Sequence, residues 1–198
     1  MPDIQVAPER RPGRPRSVVA DEAILDAATD AFIELGWDGL TIEGVAARAG
    51  VGKTTIYRRY PSRLDLLLAA AERLVQQKGP VPDTGTLRGD VLALVRAYFD
   101  MLMSTRAGRA TPAMVAATSR NPELAIAYRS FIAERRRESA MTLDRAISRG
   151  ELPADVDHHL VLDLLVAPLF YRAFVSREPL DDEYFADLVD SVLRAVRS

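Results

Sequence analysis

The chain has 198 residues, a formal charge of −2 and a hydrophobic share of 48%. That share supplies a buried core and excludes wholesale disorder, while the charge excludes nucleic-acid binding through bulk electrostatics, so any such role must rest on local clustering. The absence of cysteine excludes disulfides, thiolate metal sites and cysteine nucleophiles together, and suits a cytoplasmic protein.

Residues 1–16 read as a flexible basic arm, in which Pro2, Pro8, Pro12 and Pro15 block helix and Arg10, Arg11, Arg14 and Arg16 carry charge. A first helix is expected over about 18–35, on Ile24, Leu25, Ala28, Ala31, Phe32 and Leu35, closed by Gly36. Thr41 reads as the N-cap of a short helix over 42–49. Gly50 breaks that helix, and Gly52 opens another that Pro61 stops at about Tyr60. Ser62 caps a fourth helix running to about Lys78. Beyond the Gly79–Pro82 loop, further helices are expected near 85–105, 109–119, 122–149, 156–175 and 181–196. No strand-period segment or repeat is present, so the fold class is all-α with about nine helices. The organisation read from this is a flexible arm at 1–16, a helix-turn-helix DNA-binding domain at 17–63 and a regulatory and dimerisation domain at 64–198. No run of 18 uncharged apolar residues and no apolar leader occurs, so no membrane association is expected.

The functional signal lies in residues 41–63, TIEGVAARAGVGKTTIYRRYPSR. Two short helices flank a Gly50-Val51-Gly52 turn, the form in which a second helix enters the DNA major groove. From Gly44 to Leu64 the stretch carries Arg48, Lys53, Arg58, Arg59 and Arg63 and no acid. Such local segregation of positive charge is what phosphate binding requires. Gly52-Lys53-Thr54-Thr55 mimics the end of a phosphate-binding loop, but position 47 is Ala and a helix precedes it rather than a strand.

The stretch from Ala23 to Leu68 resembles the DNA-binding domain of the TetR family of transcriptional regulators. The likeness rests on the AILDAA…AF…LG helix, Trp37-Asp38-Gly39-Leu40-Thr41, the V-A-x-x-A-G-V turn, T-x-Y and the Tyr60-Pro61-Ser62-Arg63 exit. RGELPADVD and VAPLFYRAFV resemble the family's regulatory domain more loosely. Gly52 and Arg58-Arg59 depart from the common pattern, which bears on the operator read. The resemblance implies a dimeric repressor on a palindromic operator in double-stranded DNA, released by a small-molecule effector, with no catalytic residues and no cofactor. It implies that Thr41 caps its helix and donates to phosphate. Lys53, Thr54, Thr55 and Tyr57 would face the groove, with Arg58 beside them. Arg59 would reach a guanine edge and Arg63 would grip a phosphate. Arg14 and Arg16 suit a minor-groove arm. Ile56 and Tyr60 read as packing inward.

For the family's effector pocket the candidates are Tyr98, Phe99, Leu102, Met103, Met114, Tyr128, Phe131, Met141, Phe170 and Tyr171. Their aromatic and thioether character favours an apolar or aromatic effector. For a homodimer interface the candidates are Leu160, Leu164, Leu169, Leu188, Val192, Leu193 and Val196. His158 and His159 read as exposed residues at a helix start, since adjacent histidines on a helix diverge by about 100° and serve one metal poorly. Arg135-Arg136-Arg137 read as a solvated face. Two other readings remain open from sequence: a constitutive architectural DNA binder without effector, and an enzyme using the helical cavity.

Overall fold

Short-range capping chemistry sets most of the helix boundaries in the computed structural model of the chain, which describes residues 16–76 and 81–197. Among these residues there are nine α-helices and no strand. Arg14 lies outside the described residues, as does the side chain of Arg16.

The first helix, α1 (Arg16–Gly39), is broken near its end by Gly36 at φ 68°, a backbone angle that glycine adopts without steric cost. Helix α2 (Ile42–Ala49) starts where Thr41 Oγ1 accepts from Gly44 N at 3.0 Å, and ends at left-handed Gly50. Helix α3 (Lys53–Tyr57) is shorter than its sequence suggests. Ser62 and Asp65 form a reciprocal cap at the start of α4 (Arg63–Gln76): Ser62 N donates to Asp65 Oδ2 at 3.0 Å and Asp65 N to Ser62 Oγ at 3.1 Å.

Threonines cap the next two helices, Thr86 before α5 (Leu87–Ser104) and Thr105 before α6 (Arg106–Thr118). The second of these caps starts α6 three residues earlier than periodicity indicates. Asn121 and Pro122 open α7 (Pro122–Ser148). Asp157 opens α8 (His158–Tyr171), accepting from His159 N and Leu160 N. These two bonds, Leu160 first, hold the Asp157 carboxyl below the usual range. A π-helical turn (Arg172–Ser176) continues α8, and α9 (Asp182–Arg197) follows.

Apolar residues gather into two cores. The first joins Ile24, Phe32, Leu40, Val45, Ile56 and Leu66 to Met114, Ala117 and Leu124. Thus α6 and the start of α7 are seated on the N-terminal helices. The second joins α5, α7, α8 and α9 through Leu87, Val91, Leu143, Leu165, Leu169, Phe185 and Val189. By length and apolar composition alone, α8 with its π-helical turn (His158–Ser176, mean hydropathy 1.4) could cross a membrane. Its apolar residues divide between the second core and one exposed stripe, and Asp163 and Arg172 pair with Arg136 and Glu178.

Asp90 locks the second core at its edge. It is a fully buried carboxylate that accepts from Thr84 N and Oγ1 and pairs with Arg149 Nη2 at 3.2 Å. Burial pushes its pKa up, but the Thr84 bonds and the Arg149 guanidinium together hold it below 3.8. A depressed folded pKa stabilises the fold fully above the unfolded value, and that contribution fades as pH falls through the folded value. Asp90→Asn is therefore expected to cost about 2 kcal/mol at neutral pH and to lose less stability than the parent on acidification below pH 4. Thermal melts between pH 7 and pH 3 test this; parallel acid limbs would exclude Asp90 as the source.

Candidate nucleic-acid interface

The α2–turn–α3 unit is held by its apolar side, which frees its other side. Ile42, Val45, Ala46 and Ile56 are buried against α1 and α4, while Val51 is half-buried. Val51 N donates to Ala46 O at 3.1 Å and closes the turn. Only Gly50, at φ 65°, uses the left-handed region there; Gly52 is extended at φ −74°. Lys53, Thr54, Tyr57 and Arg58 are exposed on one surface of α3 and its exit, with Thr55 half-buried beside them. Tyr57 is 49% exposed, an unusual state for a large aromatic outside any core. Exposed Thr41 stands at the start of α2.

Most of the basic groups on this unit already have partners. Arg48 meets Glu34 at 2.7 Å and Lys53 meets Glu43 at 2.8 Å. Both carboxyls are held below their usual range, chiefly by those side-chain bonds. Phosphate contact by Lys53 would exchange Glu43 for a nucleic-acid anion. Arg58 has no ion pair among the described residues.

Two expectations are corrected. Arg59, assigned from sequence to a guanine edge, folds back toward α1: its side chain is 18% exposed and its Nη1 lies 3.5 Å from Asp21 Oδ1. The cause is the early end of α3, which leaves Arg58 and Arg59 in a turn. Tyr60 follows the same course, donating to Asp21 Oδ1 at 2.8 Å. Burial and that bond push its pKa to about 12. Arg63, assigned to a phosphate, instead donates to the carbonyls of Trp37 (3.1 Å) and Leu40 (3.3 Å). Its guanidinium stacks 3.9 Å from the Trp37 ring centroid, so it fastens α4 to the α1–α2 connector.

Residues 24–70 match the family described as bacterial regulatory proteins, tetR family, and residues 81–192 match the tetracyclin repressor-like C-terminal domain. The chain belongs to the TetR family. It is 32% identical to the uncharacterized HTH-type transcriptional regulator YdeS of Bacillus subtilis, over 94% of each chain. It is 34% identical to the DNA-binding transcriptional repressor TetR of Mycobacteroides abscessus, over 90% of this chain and 94% of that one. The crystal structure of the TetR family transcription regulator SCO0332 matches with a TM-score of 0.67 and 33% identity, covering 89% of this chain and 98% of that one.

In this TetR-family chain a cavity of about 1030 Å³ opens between α4, α5, α6 and α7. Of the ten residues expected to line an effector pocket, Tyr98 alone is among the described residues that line this cavity. Met114 is buried in the first core, and Phe99 packs in the second, with its ring centroid 5.2 Å from that of Phe185. Leu102 is buried, whereas Met103, Met141 and Tyr171 point outward. Tyr128 stacks on Phe131, and Phe170 packs on Phe174. The actual wall includes Leu74, Val75, Leu94, Met101, Arg106 and Arg135. Periodicity could not find these, because they come from four helices and alternate apolar with charged groups.

Arg106 joins this wall to the DNA-binding unit. Its guanidinium meets Asp26 Oδ1 at 2.5 Å, Asp26 O at 2.8 Å and Asp30 Oδ1 at 2.6 Å, all on α1. Arg73 of α4 approaches the same Asp26 at 3.0 Å. Of the three consecutive arginines Arg137 is exposed, as expected of a solvated face, whereas Arg135 reaches Glu72 and Glu138 and Arg136 reaches Asp163.

The expected dimer residues also separate. Leu169, Val192 and Leu193 are buried within the chain's own core, with Leu188 and Val196 half-buried against it. Leu160 and Leu164 are exposed and continue through Ala167, Tyr171 and Val175 along one side of α8 and its extension. His158 Nδ1 stands 3.8 Å from Asp144, and no metal-binding cluster occurs among the described residues.

Proposed function

We propose that the chain is a dimeric repressor of the TetR family that binds a palindromic operator and leaves it when a small molecule enters the cavity. The observation that carries the DNA half is the exposed surface of α3 and its exit, where Lys53, Thr54, Tyr57 and Arg58 all stand exposed. Arg58 takes the base-reading role that sequence gave to Arg59, and Thr41 supplies a phosphate contact from the start of α2. The TetR-family relatives are transcription regulators, and the reading is a regulator rather than an enzyme, working in the cytoplasm where DNA is reached.

Dimerisation is supported by the apolar stripe Leu160, Leu164, Ala167, Tyr171 and Val175. A second copy of the stripe would cover it, and a two-fold pair of recognition helices then requires a two-fold site. Release is supported by Arg106, which lines the cavity and holds α1. An occupant shifts the protein only by binding the released arrangement more tightly, and DNA then weakens ligand binding to the same degree.

Selection of bound sequences from random duplex DNA, followed by gel shift at fixed salt, tests the reading. The expected result is a palindromic consensus bound by two chains. Salt-sensitive binding without a consensus would replace this reading with an architectural DNA binder, and a lack of binding would overturn it.

A further inference from the structure

The basic stretch between Gly44 and Leu64 contains no acid in sequence, yet in space acids from outside it neutralise most of its charge. Arg48 meets Glu34 of α1, Arg59 meets Asp21 of α1, and Lys53 meets Glu43 in the first turn of α2. Arg63 is bonded to the carbonyls of Trp37 and Leu40. Arg58 is left with no ion pair among the described residues. Sequence-independent DNA affinity comes from cations delivered to phosphates. The carboxylates on this unit therefore limit how strongly it holds DNA of any sequence.

The three pairs differ in what DNA can do to them. Arg59 is only 18% exposed, and Tyr60 donates to the same Asp21 oxygen, so that corner stays closed. Arg48 lies in the last turn of α2 and is drawn back onto α1. The Lys53–Glu43 pair is the open one. Its side chains are 57% and 55% exposed, and Lys53 is the first residue of α3. An exposed pair of this kind is weak, so a phosphate can replace the carboxylate without either helix moving. The exchange leaves the Glu43 carboxylate unpaired beside a polyanion, and DNA binding has to offset that repulsion.

We infer that Glu43 is an internal substitute for DNA phosphate, holding Lys53 in the free protein and restraining the affinity of the reading surface for DNA of any sequence. This rests on the DNA-binding reading above. A genome offers a vast excess of random sites, so weak retention on them leaves more of the regulator free to occupy its operator.

Fluorescence anisotropy of the full-length chain, on a labelled random-sequence duplex and on the selected operator, tests this. Glu43→Gln keeps the shape of the side chain and removes its charge. It is expected to tighten binding to the random duplex about tenfold, because each chain of a dimer is relieved of one exposed ion pair. In a Lys53→Met background the same substitution is expected to change affinity by no more than about threefold, since the pair is already gone. Glu183→Gln removes the same charge from an exposed position on α9, away from the α2–α3 unit, and is expected to leave both affinities unchanged. A gain below about twofold from Glu43→Gln, an equal gain in both Lys53 backgrounds, or an equal gain from Glu183→Gln would overturn the inference. Failure of the parent chain to bind the operator would overturn the DNA reading, and the inference with it.

Discussion

Tyr57→Ala is expected to weaken operator binding about a hundredfold while leaving the melting temperature unchanged. Tyr57 ends α3 and is 49% exposed, and it belongs to neither core. Its removal therefore leaves no cavity. A hydroxyl hydrogen bond to a charged phosphate is worth about 1.5 kcal/mol. A dimer makes it twice, which gives about 3 kcal/mol and a hundredfold in affinity. Tyr57→Phe isolates the hydroxyl from the ring. If both variants lose affinity equally on every sequence, the hydroxyl contacts phosphate. If Tyr57→Ala binds the operator like the parent, the docking surface assigned to α3 is wrong.

Gly108→Ala is expected to lower stability by about 3 kcal/mol. Glycine-to-alanine changes inside helices ordinarily stabilise by up to about 1 kcal/mol, so the sign here is opposite to the local rule. The reason is the α5–α6 corner. A Cβ at position 108 would stand 1.9 Å from Leu102 O and 2.4 Å from Leu102 C. These are backbone atoms of the neighbouring helix, which no rotamer can move aside. For a chain of this size the loss corresponds to a fall of about 10 °C in Tm. The corner also carries Arg106, so opening it separates the cavity wall from α1. A melt within 2 °C of the parent would mean that the corner relaxes without cost.

What could be read from sequence follows the range of the interactions involved. The caps at Thr41 and Ser62 and the break at Gly50 are local, and the helices begin and end where those residues stand, while Gly36 breaks α1 three residues before its end. The recognition unit was legible for the same reason: its apolar and basic positions alternate within 23 residues, and they separate inside from outside without help from the rest of the chain. Arg59 was misread because its partner, Asp21, lies on α1. Met114 was misread because an apolar period marks burial without saying which of two cores receives it. Leu169 and Leu164 share one helix, yet only their angular position relative to α5 and α9 sends the first inward and the second outward.

Trp37 is the only tryptophan in the chain, and it sits beneath the Arg63 guanidinium, packed on the first core. Indole emission from the native protein is therefore a label for the DNA-binding unit alone, with the α8–α9 half of the molecule silent. The stacked cation also makes that emission sensitive to the angle between α4 and the α1–α2 connector. A change in its intensity on ligand addition would register motion reaching the DNA-reading surface without an attached dye or a second chromophore.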